Sequence, residues 1–248
     1  MNDPAPAIAA TLADSVGALT FDVFGTVVDW RGTVMAEGQA FGRRHGLEID
    51  WERFADRWRR EGYVDAIARI NRGDRGWTRV DHLHRAKLDQ LLAEHGVAGL
   101  PEAEIAGLNR VWHRLRPWPD VPEGLARLRK RFVIASLSNG DVALLVDMAR
   151  AGGFAWDCVL SSELAGTFKP NRDCYLMAAR LLDLPPQRIM MVAAHNGDLR
   201  GARAAGLRTA LVVRPLEYGL AGRPDLVPDP EFDIAATDFV DLARRLGC

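Results

Sequence analysis

Ala18-Leu19-Thr20-Phe21-Asp22-Val23-Phe24-Gly25-Thr26 decides the reading of this chain. The run from Ala18 to Phe24 is short and mostly apolar, and Gly25 closes it. Those features predict a buried β-strand. Asp22 stands at its end. Taken alone, an acid after a strand is most simply a helix cap or a turn residue.

Downstream the character changes. Residues 31–116 hold amphipathic segments at 51–70, 78–94 and 101–115, with few β-branched runs. Breaks at Asn71-Arg72-Gly73 and His95-Gly96 separate them. This block is expected to be all-helical. Pro117-Trp118-Pro119-Asp120-Val121-Pro122 then interrupts; prolines so dense cannot continue a helix, and the stretch is read as a connection. Beyond it, strand-like runs at 132–137, 158–160, 189–193 and 209–213 alternate with helix-like runs at 142–151, 174–182 and 199–205. Alternation of this kind means βαβ units and a parallel sheet. The expected fold is α/β: a doubly wound, Rossmann-like parallel sheet with an inserted all-helical cap. Residues 16–30 and 117–248 form the core, 31–116 the cap, and 1–15 a loose tail. Ligands in such sheets bind at the carboxyl ends of the strands.

Composition excludes several classes. Hydrophobic residues make up 48% of the 248, enough for a sizeable core. A net charge of −1 argues against nucleic acid or an anionic membrane as partner. The three cysteines, Cys158, Cys174 and Cys248, are odd in number and lack metal-ligand spacing, so neither a disulfide framework nor a zinc site is expected. A reducing cytoplasm is the expected location. Residues 1–18 are rich in Ala and Pro, carry Asp3 and Asp14, and lack the basic start of a signal peptide. No run reaches the ~18 apolar residues of a membrane span.

Four strand ends carry polar residues. They are Asp22 with Gly25-Thr26, then Ser136-Leu137-Ser138-Asn139-Gly140, then Lys169-Pro170 before a helix, then Ala193-Ala194-His195-Asn196-Gly197-Asp198. This order resembles the haloacid dehalogenase superfamily over residues 18 to about 245. The resemblance implies Asp22 as nucleophile, a hydroxyl on the second strand, a lysine, and an acidic motif after the fourth strand. The chemistry explains the residue types. A carboxylate, with a reference pKa near ~4, is ionised at pH 7 and can form a covalent ester. Lys169 would hold it ionised and aimed. Thr26 and Ser138 supply donors for charge on the ester carbonyl.

Most members of that superfamily are magnesium-dependent phosphotransferases, with a second Asp two residues after the nucleophile as general acid. Here that position is Phe24, which transfers no proton. A halide leaving group needs none. The acid four residues before Asp198 is also missing, replaced by Ala194. No magnesium, no other metal and no cofactor are therefore expected. What remains is similar to the type II (S)-2-haloacid dehalogenases, in Phe21-Asp22-Val23-Phe24-Gly25-Thr26-Val27-Val28-Asp29, Trp58-Arg59, Ser138-Asn139, Lys169-Pro170 and Tyr175. The resemblance implies that Arg59 binds halide and the carboxylate region, Ser138 the carboxylate, and Asn139 the halide. Phe24, Tyr175 and Asn196 are the further expected substrate contacts. It also implies a homodimer and a small 2-halo acid as substrate.

The fourth motif departs from the family. Where those enzymes place an Asn three residues before the Asp, this chain has His195, and Gly197 replaces an aromatic. A histidine titrates near neutral pH, so His195, supported by Asp198, is expected to be the base for ester hydrolysis. Gly197 leaves the leaving-group pocket open in size. A fluoroacetate-like or strained-ring carboxylate, a phosphatase, and an inactive binding protein on the same scaffold are the rival readings.

Overall fold

β1 (Ala18–Phe21) lies at the centre of a six-stranded parallel sheet. The computed structural model describes residues 12–220, 222 and 225–248. With β4 (Val133–Ser138), β5 (Cys158–Ser161), β6 (Ile189–Ala193), β7 (Arg208–Val212) and β8 (Ile234–Ala236), the sheet order is β5-β4-β1-β6-β7-β8. β1 pairs in register with β4 on one side (Phe21 opposite Ser136) and β6 on the other (Phe21 opposite Val192). Strand order reverses on either side of β1, the crevice where doubly wound sheets bind ligands. β1 and β6 are buried along their whole length, as a sheet covered on both faces requires.

The block after β1 is helical, as its amphipathic segments predict. α1 (Trp30–His45) and α2 (Trp51–Arg59) lead into a π-helical turn, Arg60–Val64, and then α3 (Asp65–Asn71). α4 (Val80–Glu94), α5 (Glu102–Asn109) and a 3₁₀ turn, Arg110–Arg114, complete it. A two-residue antiparallel pair joins the block's ends, β2 (Val28–Asp29) with β3 (Arg116–Pro117). Core helices follow: α6 (Val121–Leu128), α7 (Val142–Gly152), α8 (Arg172–Leu181), α9 (Asn196–Ala204) and α10 (Phe239–Arg245).

One continuous apolar cluster joins the two regions. It runs from Phe21 and Phe239 on the sheet side through Trp30 and Trp112 to Phe54, Trp58 and Leu83 in the helical block. Fully burying each such side chain is worth about 1.5–3 kcal/mol. Polar ties add specificity. His113 sits between Asp81 of α4 (Nε2–Oδ1 2.9 Å) and Asp147 of α7 (Nδ1–Oδ2 2.8 Å). Asp141, at the start of α7, accepts the Val80 and Asp81 N–H groups, whose place in the first turn of α4 leaves them without intrahelical partners.

Several expectations shift. The first strand ends at Phe21 rather than Phe24, because the chain turns after Asp22, whose carboxylate meets Lys169 and Thr26. The proline-rich connection contains the start of α6: Pro122 occupies its first turn, where a missing N–H costs nothing. β8 was not expected; its three residues carry too little pattern. The loose tail falls partly on residues 1–11, outside the described residues. Residues 12–15 are helical, and Ala13 is buried in the core.

Candidate active site

The site is built on the loop leaving β1. The Asp22 N–H donates to the Val192 carbonyl (3.0 Å), which extends the β1–β6 pairing by one residue. The chain then turns tightly, with Val27 and Val28 N–H groups both returning to the Val23 carbonyl. Gly25 makes this turn at φ +85°, and a Cβ there would come within 2.1 Å of Glu217 Oε1.

The Asp22 carboxylate is buried and fully partnered. Lys169 Nζ donates to Oδ1 (3.0 Å), Thr26 Oγ1 donates to Oδ2 (2.9 Å), and His195 Nδ1 lies 3.2 Å from Oδ2. Burial alone would raise its pKa. The Lys169 charge and the His195 hydrogen bond outweigh burial and hold the carboxylate well below its usual range. Thr26 is itself fixed by the Ala194 N–H, which donates to Oγ1 (2.9 Å). Lys169 also donates to Asp198 Oδ2 (2.5 Å), and Tyr175 Oη donates to Asp198 Oδ1 (2.6 Å). Burial opposes the Lys169 charge, but the two carboxylates more than offset it and keep the ammonium protonated. Burial pushes the Asp198 carboxyl up, with the Asp22 charge adding to it and Lys169 opposing.

His195 is the residue whose surroundings differ most from expectation. No hydrogen bond joins it to Asp198 among the described residues. Its Nε2 lies 3.0 Å from both Glu217 oxygens, because Asp198 is turned toward Lys169 and Tyr175 on the first turn of α9. Burial would lower the imidazole pKa, yet the Glu217 charge and the Asp22 hydrogen bond raise it well above its ordinary value. Glu217 is only 1% exposed and accepts from Trp30 Nε1 (3.2 Å). No motif in the sequence pointed to it: a lone acid in an irregular loop carries no periodic or spacing signal.

Arg59 faces these groups from the end of α2. Its guanidinium lies 3.9 Å from the Tyr63 ring centroid, 5.0 Å from that of Phe24 and 5.5 Å from that of Trp30. Its Nη1 is buried without a hydrogen-bond partner among the described residues. Tyr63, four residues on in the π-turn, was also missed, although its helical spacing from Arg59 is a readable signal. Burial pushes the Tyr63 phenol up to about 12. A pocket of about 290 Å³ is lined by Asp22, Arg59, Tyr63, Asn139, Lys169, Pro170, His195, Gly197 and Asp198. At Gly197 nothing stands within 4 Å of where a Cβ would lie, so that side is open.

Four of the expected substrate contacts do not line this pocket. Ser138 Oγ accepts from the Gly140 N–H (3.4 Å) and does not line the pocket, because the strand turns its hydroxyl under the following loop. Tyr175 reaches Asp198 rather than the pocket. Asn196 points its amide at the Val227 carbonyl (3.0 Å), away from Asp22. Phe24 is 1% exposed and lies beneath Arg59 rather than against the pocket. Asn139 does line the pocket, but its amide is engaged as a clamp on the lysine loop: Oδ1 accepts the Lys169 N–H (2.8 Å) and the Ser162 hydroxyl (2.6 Å).

The donor set does not fit a divalent cation. Both Asp22 oxygens and both Asp198 oxygens are engaged by Lys169, Thr26, His195 and Tyr175, and Ala194 offers no side-chain oxygen. Among the described residues, no group of three or more His, Cys, Asp or Glu is arranged to hold a metal. No helix among the described residues is long and apolar enough to cross a membrane.

A family model for haloacid dehalogenase-like hydrolases matches residues 16–206. A solved defluorinating L-2-haloacid dehalogenase superposes with a TM-score of 0.90 at 42% identity, covering 94% of this chain and 96% of the other. Another solved L-2-haloacid dehalogenase gives a TM-score of 0.90 at 45% identity, over 94% and 99% of the two chains. An (S)-2-haloacid dehalogenase of Xanthobacter autotrophicus is 27% identical over 227 residues, covering 83% of this chain and 78% of that enzyme. Asp22, Lys169 and Asp198 thus sit together at the switch point of a sheet whose relatives are hydrolases: the chain belongs to the haloacid dehalogenase-like hydrolase family.

Proposed function

We propose that this protein is a hydrolytic dehalogenase that converts 2-haloalkanoic acids to 2-hydroxy acids through a covalent ester on Asp22. One observation carries the reading. A buried, ionised carboxylate and a guanidinium with an unpaired N–H face each other across a single small pocket. The names of its relatives, one of them defluorinating, agree with it.

In this reading residues 31–116 cap the core formed by 16–30 and 117–248. Arg59 receives the substrate carboxylate and the departing halide. An Asp22 oxygen forms a bond to C2 from the face opposite the halogen, and the carbon–halogen bond breaks with its electron pair on the halide. The configuration at C2 inverts. Phe24, where a phosphatase has its acid, fits a leaving group that needs no proton. Near-attack positioning of this kind can supply ~7–11 kcal/mol of the barrier. Once ester formation has removed the Asp22 charge, His195 loses its Nδ1 proton to solvent; water then attacks the Asp22 ester carbonyl and gives a proton to that nitrogen. The tetrahedral adduct collapses, the 2-alkoxide takes a proton, and the hydroxy acid leaves. The sum is one halide, one proton and one 2-hydroxy acid.

The test is a single turnover in ¹⁸O-water on 2-chloropropionate. Label is expected in the Asp22 side chain, read by peptide mass spectrometry. Halide release with no label in Asp22 rejects the covalent route.

A further inference from the structure

His195 has a carboxylate on each ring nitrogen. Nδ1 faces Asp22 Oδ2 at 3.2 Å and Nε2 faces both Glu217 oxygens at 3.0 Å. A neutral imidazole has one N–H and would leave one carboxylate against a lone pair, so the resting site suits the doubly protonated ring. The remaining charged and titratable neighbours are Lys169, Asp198, Arg59 and Tyr63 around the same pocket, and Tyr218 and Asp29 beside Glu217.

The two carboxylates differ in what the reaction does to them. Asp22 becomes a neutral ester and stops holding the Nδ1 proton. Glu217 takes no part in bond making and keeps both oxygens against Nε2. It is deeply buried, braced by the Trp30 indole N–H, and seated against Gly25, in space a Cβ would fill. It also lies beyond residue 206, the last that the family model matches.

We propose that Glu217 is a positioning residue for ester hydrolysis: it keeps the His195 proton on Nε2, so that ester formation at Asp22 frees Nδ1 to accept a proton from the attacking water. The inference rests on the dehalogenase reading. The protons balance. The resting imidazolium loses its Nδ1 proton to solvent once Asp22 is esterified and the halide has gone. Nδ1 then takes a proton from water as the oxygen–Cγ bond forms, and returns it to the alkoxide as the Cγ–O bond breaks. The new Asp22 carboxyl proton passes to Nδ1, which restores the resting pair. The one proton released matches the one halide produced. Without Glu217 the neutral ring is free to keep its proton on Nδ1, the tautomer that cannot act as base.

The test compares the wild-type enzyme with Glu217→Gln on 2-chloropropionate. The first-turnover halide burst is expected to stay within a few-fold of wild type. Ester hydrolysis should slow by about 10²-fold or more, the scale of a lost general base, so that alkylated Asp22 accumulates in the mass spectrum. The low-pH limb of kcat should move to lower pH, because losing the Glu217 charge weakens proton binding at His195. Unchanged hydrolysis with an unmoved limb overturns the proposal. So does an equal loss of burst and hydrolysis in a folded variant. Should Glu217→Gln not fold, Glu217→Asp keeps the charge but retracts it. Slower hydrolysis with an intact burst and an unmoved limb then supports the proposal, and wild-type hydrolysis overturns it. Absence of halide release by the wild-type enzyme from any 2-halo acid would instead reject the dehalogenase reading, and this inference with it.

Discussion

The two walls of the pocket are made of opposite materials. On the Asp22 wall, Lys169, Thr26, His195, Asp198, Tyr175 and Glu217 bond to one another, and both oxygens of Asp22 are engaged. On the Arg59 wall, polar atoms are stranded among rings. Arg59 Nη1, both nitrogens of His84 and Trp112 Nε1 are buried without hydrogen-bond partners among the described residues. His84 stacks on Trp112 with centroids 4.1 Å apart, and burial together with the Arg59 charge holds the imidazole well below its ordinary pKa, hence neutral. The first wall is a preorganised polar network in which the forming and breaking of an ester meets fixed dipoles. The second is an apolar socket with one cation, suited to a large, weakly hydrated leaving anion. Weak hydration is also why Arg rather than Lys suits that place.

The contrast can be broken in a graded way. Asp22→Asn removes the centre of the polar wall and is expected to lower both the halide burst and turnover by about 10⁴-fold or more. A variant with a wild-type burst removes Asp22 from the mechanism. On the opposite wall, Arg59→Lys keeps the charge but loses the planar fork, and kcat/KM for 2-chloropropionate should fall about 10²–10³-fold with the ester still formed. An unchanged KM and kcat would show the socket does not read the substrate through Arg59. Gly25→Ala disturbs the polar wall indirectly by pushing Glu217 away. Because Ala also strains the +85° turn that follows Asp22, both phases should slow, with hydrolysis losing about 10-fold more than the burst, since the added methyl cannot coexist with the present Glu217 position. Equal rates for both phases would refute that path.

The smallest effect lies outside both walls. Burial disfavours the charged form of His113, but the hydrogen bonds to Asp81 and Asp147 prevail and raise its pKa above 6.5. A raised folded-state value means that the stabilisation is complete below pH 6.5 and is lost as pH rises through the folded value. His113→Gln should therefore lower Tm by about 2–4 °C at pH 6 and by less at pH 8.5, as ~1 kcal/mol predicts for a chain of this size. A pH-independent difference, read by thermal denaturation, would show that the ion pairs contribute nothing.

Legibility followed periodicity. β1, β4, β6 and their helices lie within a few residues of where alternation placed them, because buried strands and amphipathic helices leave a pattern. The four strand-end motifs brought Asp22, Lys169, His195 and Asp198 to one pocket for the same reason. Side-chain direction was not legible. Asn196 and Gly197 are neighbours, yet one turns to Val227 and the other opens the pocket. Glu217 was invisible because its importance comes from tertiary approach to His195 across the site. β8 and α6 were missed because three residues are too few to show a period, and because Pro122 reads as a breaker unless it falls in a first turn.

The central position of β1 also sets an order of folding. Both its sheet neighbours, β4 and β6, come after the whole helical block in the chain. During synthesis from the N-terminus, β1 is made first and paired late, and such long-range pairings are slow to form. Lys169 is made between β4 and β6, and His195 and Glu217 follow β6. A growing chain therefore carries an unpaired β1 throughout the making of the helical block. Protection of the strand comes when β6 closes against β1, and competence in chemistry only after His195, Asp198 and Glu217, all C-terminal to β6, have joined the site.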